Sequence, residues 1–206
     1  MIYESGVFMA KKEIIENKLK SCNNYITTKD ILDLGIDKKY IPKLLKENYL
    51  IKVCHGIYKK PDVFEDDYYV FQLRYPKSIF SYETALYLLN LEDSSSSKFN
   101  VTSIRGKAIN GNCNVHFVTE DKFEVGLTVI NSPFGNPIRV YNAERTICDL
   151  LRRSSDDFDF GYIKKIFIAY FDSGKRDIEL LVYYSRIFNV YEKVIFLMEV
   201  LINYGK

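Results

Sequence analysis

At 206 residues the chain is long enough for one large or two small domains, and 47% apolar content is ample for a core. Its four cysteines, Cys22, Cys54, Cys113 and Cys148, form no CxxC pair, and there are only two histidines, His55 and His116, so neither a zinc knuckle nor a disulfide framework is indicated. No signal-peptide pattern and no membrane-length apolar run occurs, and the formal charge is only +2, so a cytoplasmic protein without a membrane partner is expected.

The N-terminal residues 1–10 read as an extension, its first eight residues disordered, with Met9 as an alternative start. Residues 11–21 have a helical pattern, with Ile14, Ile15 and Leu19 on one side. Thr27 or Thr28 then caps a short helix carrying Lys29, with Asp30 in its first turn, where the helix dipole favours a negative charge. Gly35 stops that helix and supplies the left-handed backbone of a tight turn. Asp37 caps the next helix, in which Tyr40, Ile41, Leu44 and Leu45 fall at helical spacing toward a core. Lys38, Lys39, Lys43 and Lys46 fall at or beside its opposite arc. Pro42 removes a backbone donor, so the helix is expected to start at or just before it.

A hairpin follows. Tyr49, Ile51 and Val53 alternate with Leu50, Lys52 and Cys54, His55-Gly56 makes the turn, and Ile57 to Lys60 returns with Lys59 and Lys60 on it. Helix, turn, basic helix and hairpin in this order outline a winged helix-turn-helix, which places one helix in a DNA groove. The expected DNA contacts are Thr28, Lys29, Lys38, Lys39, Tyr40, Lys43 and Lys46 from the helices, and Lys52, His55, Lys59 and Lys60 from a wing that touches the backbone or the minor groove. Charge agrees with this reading. Residues 1–60 hold 12 Lys and 7 acidic residues, a balance of +5, while the remainder holds 17 basic and 20 acidic residues, a balance of −3. Lysine without arginine suits phosphate contact better than bidentate base reading, which would fall to Thr28, Tyr40 or Asn48. Pro61-Asp62 marks the expected end of this domain, spanning residues 11–61.

Residues 62–206 read as an α+β domain, a mixed or antiparallel sheet followed by a helical tail. A helix over 65–75 ends at Pro76, the short apolar run Ile79-Phe80 follows, and Ser81 starts a helix containing Glu83. Beyond the serine loop 94–97, strands are expected over 99–102, 115–119, 127–131 and 138–141, separated by Gly, Pro and Asn turns. Asn142 caps the next helix, and three more are expected over 160–171, 176–188 and 191–204.

Three stretches of this chain resemble the AbiEi-type antitoxins of bacterial type IV toxin–antitoxin systems. They are HGIYKKP at 55–61, SIFSYETALYLL at 78–89 and, most specifically, PIRVYNAERTICDLL at 137–151, whose ERTxxDL helix follows a strand. The departure is Tyr82-Glu83-Thr84, where the family has smaller residues. The resemblance implies a transcriptional autorepressor that binds inverted repeats in the double-stranded operator DNA upstream of its own two-gene operon. It also implies a second domain that counteracts a nucleotidyltransferase-like toxin without a stable complex, in abortive infection against phage. It implies no enzyme activity.

Arg145 and Asp149 share a helix face one turn apart, so an intrahelical ion pair locking that helix is expected. Glu120-x-Lys122 is reminiscent of a metal-dependent nuclease strand, but the further carboxylates on offer, Glu92 and Asp93, precede a loop, so a charged turn is expected. A lone strand histidine, His116, reads as a packing residue, and no phosphate-binding glycine loop, cofactor site or metal site is expected. Arg105, Lys107, Arg152 and Arg153 could extend a DNA footprint. The rival readings are a metal-dependent nucleic-acid enzyme and a module that binds the toxin directly.

Overall fold

The computed structural model describes residues 2–106, 108–153 and 159–204. The chain divides into two compact units, Met1–Pro76 with Asn131–Asn136, and Lys77–Ile130 with Pro137–Lys206. It is a mixed helix-and-sheet protein, as the α+β reading expects.

The first unit begins with α1 (Ile2–Ser21). The extension read over residues 1–10 is therefore corrected: α1 runs through it. The reason is tertiary, since Phe8 is buried with Ile15 and Leu19 at spacings of seven and four residues, one helical stripe. Ile14 lies off that stripe and is exposed. A short strand β1 (Tyr25–Thr27) leads into α2 (Thr28–Asp33). Thr27 caps α2 through a capping box: its hydroxyl accepts from the Asp30 amide at 3.1 Å, and the Asp30 carboxylate accepts from the Thr27 amide at 2.9 Å. Burial works against the ionised Asp30, but the Thr27 donors and Lys18 outweigh it and hold the carboxyl below its usual range. Gly35, at φ +73, ends the helix, and the following Ile36 turns inward.

A 3-10 turn, Lys38–Tyr40, capped by the Asp37 carboxylate, runs into α3 (Ile41–Lys46), with Pro42 at its first positions, where no donor is needed. Next come β2 (Ile51–Cys54) and β3 (Ile57–Lys59), joined at Gly56. Strand order is β1-β3-β2, both pairs antiparallel, with an irregularity between Lys52 and Cys54. Strand β1 is an addition to the sequence reading, and it makes β3 the central strand.

The unit does not end at Pro61. Asp66 caps α4 (Asp67–Arg74), and the Tyr25 hydroxyl accepts from the Asp66 amide and donates to the Phe64 carbonyl, both at 2.9 Å. The buried Asp66 carboxylate also accepts from Ser132 and from Asn136 Nδ2. The expected boundary at 61/62 is thus corrected to follow Pro76, because the segment after the hairpin is hydrogen-bonded into the same unit.

The second unit holds a five-stranded mixed sheet in the order β6-β5-β4-β8-β7: β4 (Ile79–Phe80), β5 (Phe99–Ile104), β6 (Cys113–Val118), β7 (Leu127–Asn131) and β8 (Pro137–Tyr141). Strand β4 is antiparallel to β5 and parallel to β8, and β5 is parallel to β6. The helices are α5 (Tyr82–Leu88), the single-turn α6 (Glu120–Phe123), α7 (Ala143–Leu151), α8 (Phe160–Asp172), α9 (Ile178–Ile187) and α10 (Tyr191–Tyr204). Leu86, Ile147, Leu150, Leu151, Ile166, Phe167, Leu181 and Val194 form its core. Among the described residues, no helix is long and apolar enough to cross a membrane.

Candidate nucleic-acid interface

The basic face of the first unit follows from the burial of α3. Ile41 and Leu44 are in the core and Leu45 packs against it. Successive helical residues turn by about 100°, which puts Lys43 and Lys46 about 60° apart on the side opposite that core. Both are exposed. So are Lys38 and Lys39 in the preceding turn, Lys29 in the first turn of α2, and Lys52 and His55 on the hairpin. Lys39 has Asp37 at 3.8 Å, but with both groups well out in water that pair is weak.

Tyr40 is half-buried. Its ring stacks on Phe8, centroid to centroid at 6.1 Å and 18° between planes. The Lys43 ammonium lies 3.8 Å from the Phe8 centroid, and that of Lys11 lies 3.6 Å from the Tyr40 centroid. Thr28 is half-buried where α2 meets the hairpin: its amide donates to the Gly56 carbonyl at 2.8 Å. Asn48, at φ +52, closes α3, its amide donating to the Leu45 carbonyl, so its backbone has a structural task while its side chain is exposed.

Two residues of the expected contact set are corrected. Lys59 is buried on the central strand and its ammonium donates to the Val63 carbonyl, so it does not face solvent. Lys60 pairs with Glu16 at 2.7 Å and lies beside the Tyr49 ring. Lys60 and the Tyr49 hydroxyl, in that order, hold the Glu16 carboxyl below its usual range. The hairpin's outward polar groups are therefore Lys52 and His55.

In the second unit, Arg105 is exposed and Lys107 lies outside the described residues. Arg152 reaches Asp149 at 3.3 Å, and Arg153 pairs with Glu83 and lies over the Tyr82 ring. Both arginines are thus engaged inside the unit. The Glu120-x-Lys122 stretch is α6, whose Phe123 is buried and whose Lys122 carbonyl accepts from Arg145 Nη1 at 2.8 Å. Glu92 is paired with Lys165 at 2.8 Å. Among the described residues, no three His, Cys, Asp or Glu side chains converge as a metal site would need.

The ERTxxDL helix is a packing device. Every residue of α7 from Glu144 to Leu151 is buried, so each polar group needs a partner. Tyr170 Oη donates to Glu144 Oε1 at 2.8 Å. Arg145 Nε donates to Asp149 at 2.9 Å and its Nη1 to the carbonyls of Lys122 and Val125, while its plane lies between the Tyr141 and Phe188 rings. Thr146 Oγ1 donates back to the Asn142 carbonyl at 2.8 Å. Nothing in this set presents a reactive group to solvent.

No family model matches the chain, and no curated protein matches it. Among solved structures it is similar to the crystal structure of the RV2827C protein from Mycobacterium tuberculosis. The TM-score is 0.53 at 11% sequence identity, over 86% of this chain and 71% of that one. At that identity the likeness concerns the fold.

Two features escaped the sequence reading. Lys11 joins the basic face because Phe8 anchors the start of α1 against Tyr40, a contact that local periodicity does not announce. Tyr82, at φ +50 in the first turn of α5, stacks on His116 with centroids 3.8 Å apart, and His116 Nε2 lies 3.1 Å from Asn100 Oδ1. Burial, reinforced by the Arg153 charge, pushes His116 down to about 4, and burial pushes the Tyr82 phenol up to about 12.

Proposed function

We propose that this chain is a DNA-binding autorepressor and the antitoxin of a two-gene toxin–antitoxin operon. In this reading the first unit is a winged helix-turn-helix: α2 and α3 form the helix pair, the 3-10 turn with α3 enters the major groove, and the β2–β3 hairpin is the wing. The observation that carries it is the row of exposed lysines, Lys38, Lys39, Lys43 and Lys46, on the side of this segment turned away from buried Ile41 and Leu44. Lys29 and Lys52 add cationic groups on the adjoining elements, and His55 a ring donor at the tip of the hairpin. Lysine heads of this kind bind phosphate oxygens and release counterions, which gives affinity and a steep salt dependence.

The antitoxin half rests on the resemblance of residues 55–61, 78–89 and 137–151 to the AbiEi family. It brings inverted repeats as the operator, a nucleotidyltransferase-like toxin as the functional partner without a stable complex, and a cytoplasmic setting. The reading is of a binding protein and assigns no catalytic residue.

The test is a gel-shift with the duplex upstream of this gene against a scrambled duplex of equal length, at two salt concentrations. A stepwise shift confined to the upstream duplex supports an operator-binding repressor. Equal, salt-labile shifts of both duplexes reduce the reading to charge attraction, and no shift of either removes it.

A further inference from the structure

Resting on the DNA-binding reading above, we infer that α1 is a second arm of the same face, with Lys11 and the Tyr40 hydroxyl together forming a contact to a backbone phosphate of the DNA.

Three observations lead there. The first is attachment. Phe8 is buried and stacked on Tyr40, so the start of α1 is fastened to the 3-10 turn that carries Lys38 and Lys39. Lys11 stands three residues beyond Phe8, on the same side of the helix. Its ammonium lies 3.6 Å from the Tyr40 centroid, and that of Lys39 lies 5.9 Å from the same ring.

The second is the kind of partner each lysine has. On α1, Lys12 is paired with Glu47 at 2.5 Å and Lys18 with Asp30 at 3.4 Å. Lys11 and Lys43 instead rest on aromatic rings, Tyr40 and Phe8. A ring face orients an ammonium without cancelling its charge, so these two heads stay available to an incoming anion.

The third is convergence. The Asp37 carboxyl is held below its usual range first by the Lys39 amide and then by the charges of Lys39, Lys11 and Lys38, so cations from α1 and from the 3-10 turn act on the same carboxylate. The Tyr40 phenol is lowered chiefly by the Lys11 ammonium that lies against its ring. A phenol and an ammonium side by side offer two donors to one phosphate oxygen pair, while Asp37 limits how far a second anion could settle there.

The experiment titrates the full chain against a fluorescent upstream duplex and a scrambled duplex over a salt series. The variants are Lys11→Gln, Lys11→Arg, Tyr40→Phe, Lys43→Ala and Lys20→Gln, the last an exposed lysine about 13 Å further along α1. Lys11→Gln should weaken both duplexes and lower the salt slope by about 0.9, one phosphate contact. Lys11→Arg should keep the slope, Tyr40→Phe should weaken binding at an unchanged slope, and Lys20→Gln should match the wild type. A wild-type slope in Lys11→Gln alongside a lowered slope in Lys43→Ala would overturn the role of α1 and leave the DNA-binding reading standing. If the wild-type chain binds neither duplex, both fall.

Discussion

Arg145 donates from Nε to Asp149 Oδ2 over 2.9 Å, one turn away on α7, with neither side chain open to solvent. The pair explains why the most specific motif in the chain is polar and yet lies in the core. A buried ion pair contributes little against an apolar replacement of equal shape, but losing one partner strands the other charge. Arg145→Met or Asp149→Asn alone should therefore destabilise the second unit by about 3–5 kcal/mol in urea unfolding. The double variant Arg145→Met with Asp149→Leu should cost less than either single change. Singles within about 1 kcal/mol of the wild type would show that the pair is not the lock on this helix.

Gly126 tests the same site from the other side. Its φ is +79, and a Cβ there would stand 2.4 Å from Arg145 Cβ and 2.9 Å from Asn142 Oδ1. Its carbonyl also receives the Asn142 amide at 2.8 Å, so the backbone cannot drift without loosening the start of α7. Gly126→Ala should cost about 2–4 kcal/mol, combining overpacking with an unfavourable left-handed backbone. Gly135→Ala is the control, since it has a similar φ and nothing within 4 Å of its Cβ. Its effect should be the backbone part alone, and equal losses at the two positions would remove the packing argument.

Signals that are local were legible in the sequence. The strands read over 127–131 and 138–141, the Asn142 cap and the Arg145–Asp149 spacing all lie within a few residues of their own cause. Contacts closed over long separations were not. Strand β1 has three residues and pairs with β3 thirty or more residues away, so no window around Tyr25 announces it. The hairpin pattern alone gives β3 one partner, whereas its pairing with β1 on the other side buries Lys59. The start of α1 was missed because it is fixed by Phe8 on Tyr40 rather than by its own periodicity. In the candidate interface, the lysines on the far side of Ile41 and Leu44 followed from helical spacing, whereas Lys11 required the fold.

The proposed interface makes a graded prediction. Lys39→Ala and Lys43→Ala should each weaken binding to upstream and scrambled duplexes alike and lower the salt slope by about 0.9. Lys59→Ala should leave the slope unchanged, because its ammonium is turned to the Val63 carbonyl, while lowering thermal stability. A slope change in Lys59→Ala with none in Lys39→Ala or Lys43→Ala would place the DNA contact elsewhere.

The helix α2 depends on its cap. Thr27→Val keeps the strand-forming shape of the residue and removes the hydroxyl that accepts from the Asp30 amide and donates to the Asp30 carboxylate at 2.6 Å. The expected loss is about 1 kcal/mol, within the range for helix caps. It should shrink in acid. The folded Asp30 carboxyl titrates below its usual 3.8, so its contribution is present above that value and is lost as pH falls through the lower, folded one. A loss that did not change between pH 7 and pH 2.5 would mean that the hydroxyl acts through the bond from the Asp30 amide and not through the carboxylate.

His116 sets a different acid window. Its folded value of about 4 lies below the ordinary 6.5, so protons bind the unfolded chain more readily. Stability from the neutral ring is complete above about 6.5 and is lost progressively as pH falls toward 4. The full shift corresponds to about 3 kcal/mol, and partial exposure of the ring reduces the expected loss to about 1–2 kcal/mol. Glu16 and Asp30, whose carboxyls are depressed, surrender their contributions only below about 4.5, so the histidine window stands apart from theirs. Urea unfolding at intervals from pH 7.5 to 4.5 should show this slope in the wild type. His116→Gln, which keeps a donor toward Asn100 and loses the titrating ring, should be flat over the same interval. Equal slopes in the two proteins would assign the acid sensitivity to another group and leave the Tyr82–His116 stack without a role in it.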